Sequence, residues 1–397
     1  TFTGLVGSET LGQTVGSTFD NKNVGSNKSV SVNSITLADG TGLAANYSIS
    51  AGQTTTAHIS PKSLTVSGNT ASNKTYDSNS SATVTVTLSG FVGSETLTYT
   101  NSSSFNNKNV GTGKTVTVDS ITLADGNNGG LASNYSVTPG QTTTANITAK
   151  SLTVSGIIAS SKTYDGSASA TLDTSSVLYS GIISGDTFTG SYTGAFSNAN
   201  VGTGKTVTIT SSYSGADTGN YSVTDQSSTT ADISAKALTA TASVSNKTYD
   251  ATSSATATLT LSGLVGSETL GTTNASTFNN KNVGTGKTVT VNSITLADGT
   301  NGGLAANYSI SAGQTTTANI TAKSLTVSGI TASNKTYDGN GVATLDASSV
   351  AYSGIVSGDT FNGTYTAAFS DKNVGTGKTV TITPSYSGAD VSNYSIT

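Results

Sequence analysis

The phrase Gly-Thr-Gly-Lys-Thr stands at Gly111–Thr115, Gly202–Thr206, Gly284–Thr288 and Gly375–Thr379, and its residue types are those of a phosphate-binding loop. Such a loop needs another glycine five residues before the Gly-Lys pair and a helix after it. The earlier positions hold Lys108, Ala199, Lys281 and Lys372, and strand-like alternation follows, so the phrase reads as a hairpin turn. The loop aspartates Asp39, Asp125 and Asp298 are candidates for calcium, because hard cations take oxygen ligands from loops. They lack a clustered Asp-x-Asp spacing, and no cofactor is expected. His58 is the single histidine, with Asn146, Asp232 and Asn319 at the matching positions elsewhere. That position reads as a surface strand site open to any polar group. With no cysteine and no matched carboxylate pair, nucleophilic and acid–base catalysis have little to work with. The chain reads as non-enzymatic.

What recurs instead is Lys-Thr-Tyr-Asp. Its pairs are Tyr76-Asp77, Tyr164-Asp165, Tyr249-Asp250 and Tyr337-Asp338, at steps of 88, 85 and 88 residues. Asn-Val-Gly keeps the same beat from Asn23, Asn109, Asn200, Asn282 and Asn373. Asn-Tyr-Ser does so from Asn46, Asn134, Asn220, Asn307 and Asn393. Self-similarity at a fixed period makes the chain a tandem array. The tyrosines of both phrases are expected in or at the edge of a core, their hydroxyls bonded to backbone in the manner of a tyrosine corner. The aspartates are expected to cap turns.

Elements to hold these residues follow from the pattern. Ala255, Ala257, Leu259 and Leu261 alternate with threonines, a period of two with one apolar face. Val289 and Val291 continue it, then Ile294 and Leu296 resume one residue out of phase. The slip at Asn292-Ser293, repeated at Asp119-Ser120, predicts a bulge or a change of sheet. Turns are written in Gly, Asn and Asp, as at Asn282–Gly286, Ala297–Gly299 and Asn301–Gly303. No stretch carries a helical period, so the fold is expected to be all β.

The repeats fall at residues 1–61 (partial), 62–149, 150–235, 236–322 and 323–397, the last lacking its C-terminal strand. Two subtypes occur. The glutamate type carries Val-Gly-Ser-Glu and Ser-Ile-Thr-Leu-Ala-Asp-Gly, in 1–61, 62–149 and 236–322. The Tyr-Asp-Gly type carries Ser-Gly-Asp-Thr-Phe and Ser-Gly-Ala-Asp, in 150–235 and 323–397. Units of about 86 residues are of a size for one small β-sandwich with its own core. Only Ala322-Lys323 separates one unit's last predicted strand from the next unit's first, which leaves almost no slack. Neighbouring units are therefore expected to touch, forming a stiff, extended rod with roughly 35–45 Å per unit. Starting and stopping mid-repeat, the chain reads as a window on a longer protein.

Composition narrows the function classes. Only 10% of residues are charged, all 17 basic residues are lysine, and the net charge is −4 without a basic block. Nucleic acid is thus a poor partner. No run reaches the length of a membrane span, and no signal peptide is present.

The ordered set Lys-Thr-Tyr-Asp-Gly, Ser-Gly-Asp-Thr-Phe, Asn-Val-Gly-Thr-Gly-Lys-Thr-Val, Ser-Gly-Ala-Asp, Asn-Tyr-Ser, Thr-Thr-Ala and Lys-Ser-Leu-Thr resembles the YDG repeat. It is close to the mostly bacterial immunoglobulin-like repeats of large surface proteins, the filamentous-haemagglutinin-type adhesins exported by the two-partner route, and related biofilm matrix adhesins. In the glutamate type, Ser78 and Ala251 replace the glycine after Tyr-Asp, so the name fits those units loosely. The resemblance implies immunoglobulin-like sandwiches at the bacterial surface acting as a stalk, and it supplies no ligand. The expected partners are the neighbouring repeats. The rival reading has the repeats binding glycans or ice, or associating laterally with like chains.

Overall fold

The computed structural model describes every residue from Thr1 to Thr397. It is all β: the helical pieces are three-residue 3-10 turns such as Ala305–Asn307. The repeat 236–322 shows the plan. Its strands are β1 (Lys236–Val244), β2 (Lys247–Thr248), β3 (Ser254–Ala255), β4 (Ala257–Ser262), β5 (Leu270–Phe278), β6 (Gly284–Asp298), β7 (Tyr308–Ile310) and β8 (Thr315–Thr321). One sheet has the order β4-β1-β7, with β1 antiparallel to β4 and parallel to β7. The other has the order β2-β8-β6-β5-β3, with β2 and β8 parallel. Strands β1 and β8 lie against each other across the two layers. The apolar sets of the pleat point inward, and Val289 and Val291 of β6 are fully buried while Thr288 and Thr290 are not.

The phase slip is resolved by a bulge. Ala275 pairs with Ser293 and Ser276 with Val291, leaving Asn292 without a partner residue on β5. The same shift omits Asp119 and Asn33 in the other glutamate-type segments. One extra residue returns Ile294 to the face of Val291, so both stay inward. The omitted side chain also bonds across the strand: Asn292 Nδ2 donates to Thr277 Oγ1 at 2.9 Å. In repeat 323–397 the strands Asn362–Phe369 and Val380–Ser387 pair with no shift, because Val380 and Ile382 run on to Tyr386 without a change of phase. The bulge is common to the three glutamate-type segments.

Gly-Thr-Gly-Lys-Thr is not the hairpin turn that the sequence suggested. The turn is the preceding Asn279–Val283, and Gly284–Thr288 already belongs to β6. Pairing with β8 jumps from Gly284 to Lys287, so the phrase forms a local bulge at the strand's start. Gly286 adopts φ +60°, which glycine accepts without strain. Its N–H donates to Asn319 Oδ1 at 2.7 Å. The equivalents Gly113 and Gly204 donate to Asn146 and Asp232, and Asn27 donates to His58 Nδ1 at 3.3 Å. The His58 position is therefore more demanding than "any polar group": it supplies a hydrogen-bond acceptor to this bulge.

The chain divides into two compact units: Thr1–Gly156 with Ser176–Ser191 and Ser211–Gln226, and Ile157–Ser175 with Tyr192–Thr210 and Ser227–Thr397. The division runs through repeat 150–235 and not between repeats. The core shows why. Within the second unit, one buried cluster joins Ala159, Tyr164, Phe196, Val207 and Ile233 to Leu238 and Tyr308 of the following repeat. A second joins Tyr249, Phe278, Val289 and Ile320 to Leu325, Phe361 and Tyr394 of the repeat after that. The expectation that each repeat keeps a core to itself is corrected here: the packed clusters straddle the repeat boundaries.

Candidate functional site at the repeat boundaries

The same parts meet at each of the four boundaries. The Asn-Val-Gly turn of one repeat offers a backbone N–H, and the Asn-Tyr-Ser asparagine of the next accepts it. Val24, Val110, Val201 and Val283 donate to Oδ1 of Asn134, Asn220, Asn307 and Asn393 at 2.8–2.9 Å. The amide of each acceptor returns a bond to Oδ1 of Asn23, Asn109, Asn200 or Asn282, at 3.1–3.4 Å. Two parallel bonds fix direction as well as distance, and three of the four asparagines are buried. The 3-10 turn that aims this asparagine is held by the loop aspartates. Asp39, Asp125 and Asp298 accept the N–H of Ala44, Ala132 and Ala305 at 2.6–2.8 Å. The calcium candidates thus sit as backbone caps, and no group of three His, Asp or Glu side chains gathers anywhere in the chain.

Tyrosines come next. The Asn-Tyr-Ser hydroxyl accepts a backbone N–H and donates to a carboxylate of its own repeat. Tyr135 does this with Val92 N (3.1 Å) and Glu95 Oε2 (2.7 Å), Tyr308 with Val265 N (2.9 Å) and Glu268 Oε2 (2.6 Å). Tyr221 and Tyr394 do the same with Asp186 and Asp359. The Tyr-Asp tyrosines behave differently from the backbone-bonded role the sequence suggested. Three of the four reach out of their own repeats. Tyr164 Oη donates to Glu268 Oε1 at 2.6 Å, Tyr249 to Asp359 Oδ1 at 3.2 Å, and Tyr76 is 3.4 Å from Asp217 Oδ1. The rings stack edge-to-face across the boundary, Tyr76 on Tyr221, Tyr164 on Tyr308 and Tyr249 on Tyr394, with centroids 5.4–5.6 Å apart.

The carboxylates distinguish the two subtypes. A glutamate-type repeat presents one, Glu268, which serves both tyrosines. A Tyr-Asp-Gly repeat presents two aspartates that share a lysine of the preceding repeat. Lys108 Nζ lies 2.9 Å from Asp217 and 3.4 Å from Asp186; Lys281 lies 3.1 Å from Asp390 and 3.6 Å from Asp359. Asp186 and Asp359 side chains are almost wholly buried, so a cation is needed to hold both charges. Where the following repeat has a glutamate, that position is Ala199 at one boundary and Lys22 at another, paired with Glu95 at 2.6 Å. The Thr187 backbone N–H and the Lys108 ammonium draw the Asp217 carboxyl down to about 2. Burial, then the bonds to Glu268 and Asp186, push the Tyr164 and Tyr221 phenols up to about 12.

The aspartates of the Tyr-Asp pairs stay within their own repeats. Asp77, Asp165, Asp250 and Asp338 each accept from the lysine three residues earlier, at 2.7–2.9 Å. Each also accepts the N–H two residues later, at 2.9–3.2 Å. Lys247 goes on to the carbonyls of Thr252 and Ser254 and lies over the Phe278 ring. Tyr337 differs from its three counterparts in being exposed.

In the sequence, the Asp186/Asp217 and Asp359/Asp390 pairs, Glu95 and Glu268 stood out only as subtype markers, and Lys108 and Lys281 only as the residues that break a phosphate-loop pattern. Their meeting was hidden because partners lie some 70 to 140 residues apart, although the shared beat of Asn-Val-Gly and Asn-Tyr-Ser was visible.

A sequence of β-strands whose repeats interlock in this way is a tandem β-repeat protein. The sequence profile of the YDG domain matches residues 1–57, 60–145, 148–231, 234–318 and 321–397, and the chain belongs to the YDG domain family. Comparison with curated proteins and with solved structures yields no match.

Proposed function

We propose that this chain is the stalk region of a bacterial cell-surface adhesin or surface filament, non-enzymatic and extracellular, which carries a distal binding region and transmits tension to it. The observation that supports this most is the boundary itself. Each one is closed by a paired asparagine clamp and a carboxylate set, and two of them have a buried cluster that runs across the boundary. The chemistry is spent on joining repeats.

The test is small-angle scattering of the full chain at low concentration, with and without a chelator. A maximum dimension near the summed length of the repeats, unchanged by the chelator, supports the stalk. A compact particle, or the curve of loosely strung beads, sinks it.

A further inference from the structure

In repeat 236–322, β1 and β2 form one line of chain, since only Ser245 and Asn246 lie between them as it crosses from one sheet to the other. The last line is built in the same way, from β7 to β8 across residues 311–314. These first and last lines run parallel, side by side. In one sheet Lys236 stands opposite Tyr308, Ala237 opposite Ser309 and Leu238 opposite Ile310. In the other, Lys247 stands opposite Ile320 and Thr248 opposite Thr321. The chain enters the repeat at the start of the first line and leaves it at the end of the last. A pull on both ends therefore slides one line along the other and loads all the crossing bonds together. The antiparallel pair β1·β4 is a different case. Thr239 and Ser262 stand directly opposite each other there, and a pull between them opens one rung at a time.

The first residue of the recurring phrase, which takes no part in the boundary, belongs to this parallel pair. Asn246 Oδ1 accepts the Asn319 N–H at 2.7 Å, next to the bond from Tyr249 N–H to Thr321 O at 2.9 Å. Asn73 accepts from Asn146 at 2.7 Å, and Ser161 Oγ accepts from Asp232 at 3.0 Å. The side chain before the lysine thus adds a crossing bond in each of these three repeats. Both parallel pairings recur with it. Lys62 and Lys150 stand opposite Tyr135 and Tyr221, and Lys74 and Lys162 opposite Ile147 and Ile233.

We propose that the parallel pair of first and last lines is a mechanical clamp that sets the force such a repeat withstands, with Asn246, Asn73 and Ser161 as its locking residues. This deepens the stalk reading and rests on it, since only a chain under tension loads the pair.

Single-molecule pulling of the full chain in two directions tests it. The chain has no cysteine, so introduced pairs fix the points of attachment. Ala237→Cys with Thr321→Cys loads the repeat along the clamp, and Thr239→Cys with Ser262→Cys loads it across β1·β4; all four positions are exposed. The expected unfolding force is several-fold higher along the clamp than across the antiparallel pair. Asn246→Ala leaves the Asn319 N–H without its acceptor and should raise the unfolding rate at fixed force along the clamp by about tenfold. The rate across β1·β4 should stay unchanged. Equal forces in the two directions overturn the proposal. So does an Asn246→Ala chain that unfolds faster in both directions alike, which would make Asn246 an ordinary stabilising residue. Neither failure touches the scattering test of the stalk, and a compact particle in that test would leave a measured clamp in place without a load to bear.

Discussion

Gly166 has φ +78°, and a Cβ built on it would lie 2.9 Å from Val265 Cγ1 of the next repeat. Gly339 has nearly the same φ, +84°, with nothing within reach of a Cβ. Alanine at either position incurs the left-handed penalty of about 1–2 kcal/mol, and only at Gly166 is a contact cost added. Gly166→Ala should therefore lower the urea midpoint more than Gly339→Ala, and Val265→Ala should erase the difference. Ala251 shows that a methyl group is accepted here when the neighbour permits, since it holds φ +61° and packs into the boundary core. The ionisable groups make a second residue-scale prediction. Asp217 is held at about 2 against an ordinary 3.8, so its stabilisation is complete above about pH 4 and disappears as pH falls towards 2. Tyr164, Tyr221 and Tyr394 are raised from 10 to about 12, so their contribution is complete below pH 10 and is lost on the way to 12. Urea midpoints measured across pH should show a plateau between the two windows. A midpoint that falls between pH 5 and 9 would contradict the assignment.

At the scale of elements, the lysine of Lys-Thr-Tyr-Asp ties a two-residue strand to the loop that follows it. Lys247 Nζ bonds Thr252 O at 2.8 Å and Ser254 O at 3.0 Å, as well as the half-exposed Asp250. The exposed ion pair adds little, but two carbonyls lose a charged donor if the ammonium is removed. Lys247→Met keeps the aliphatic stem over Phe278 and should cost about 1.5–3 kcal/mol, read by chemical denaturation. Asp250→Asn, which leaves the carbonyl bonds in place, should cost less. The bulge belongs to this scale too. Its existence was legible, because Val291 and Ile294 cannot share a face without one extra residue between them. That the strand continues straight through it, and does not change sheets, depended on pairing with β5.

Across the molecule, each boundary couples elements from two repeats. In the second unit, Tyr249 is 1% exposed, sits with Phe278 and Ile320 of its own repeat, and touches Tyr394 of the next. Tyr249→Ala should cost about 3–5 kcal/mol, the range for emptying a large aromatic site. Hydrogen exchange should then lose protection together in β8 and in Tyr394–Ile396. Loss confined to residues 236–322 would mean that the repeats fold independently after all. The subtype pattern also finds its physical sense here. Two aspartates on a receiving face call for a lysine opposite, as Lys108 and Lys281 supply; a single glutamate does without one at Ala199.

Period, subtype, strand content and the bulge follow from the sequence alone, because they depend on residues near one another and on a pleat with period two. The roles of the Tyr-Asp aspartates as turn caps belong with them, since both partners lie within five residues. What the tertiary structure decided is where the tyrosines spend their hydroxyls and where the core lies. Tyr76, Tyr164 and Tyr249 look in sequence like core residues of their own repeats. Core residues they are, but their hydroxyls go to carboxylates of the following repeat, where burial makes a donor to a carboxylate worth more than one to a solvated backbone.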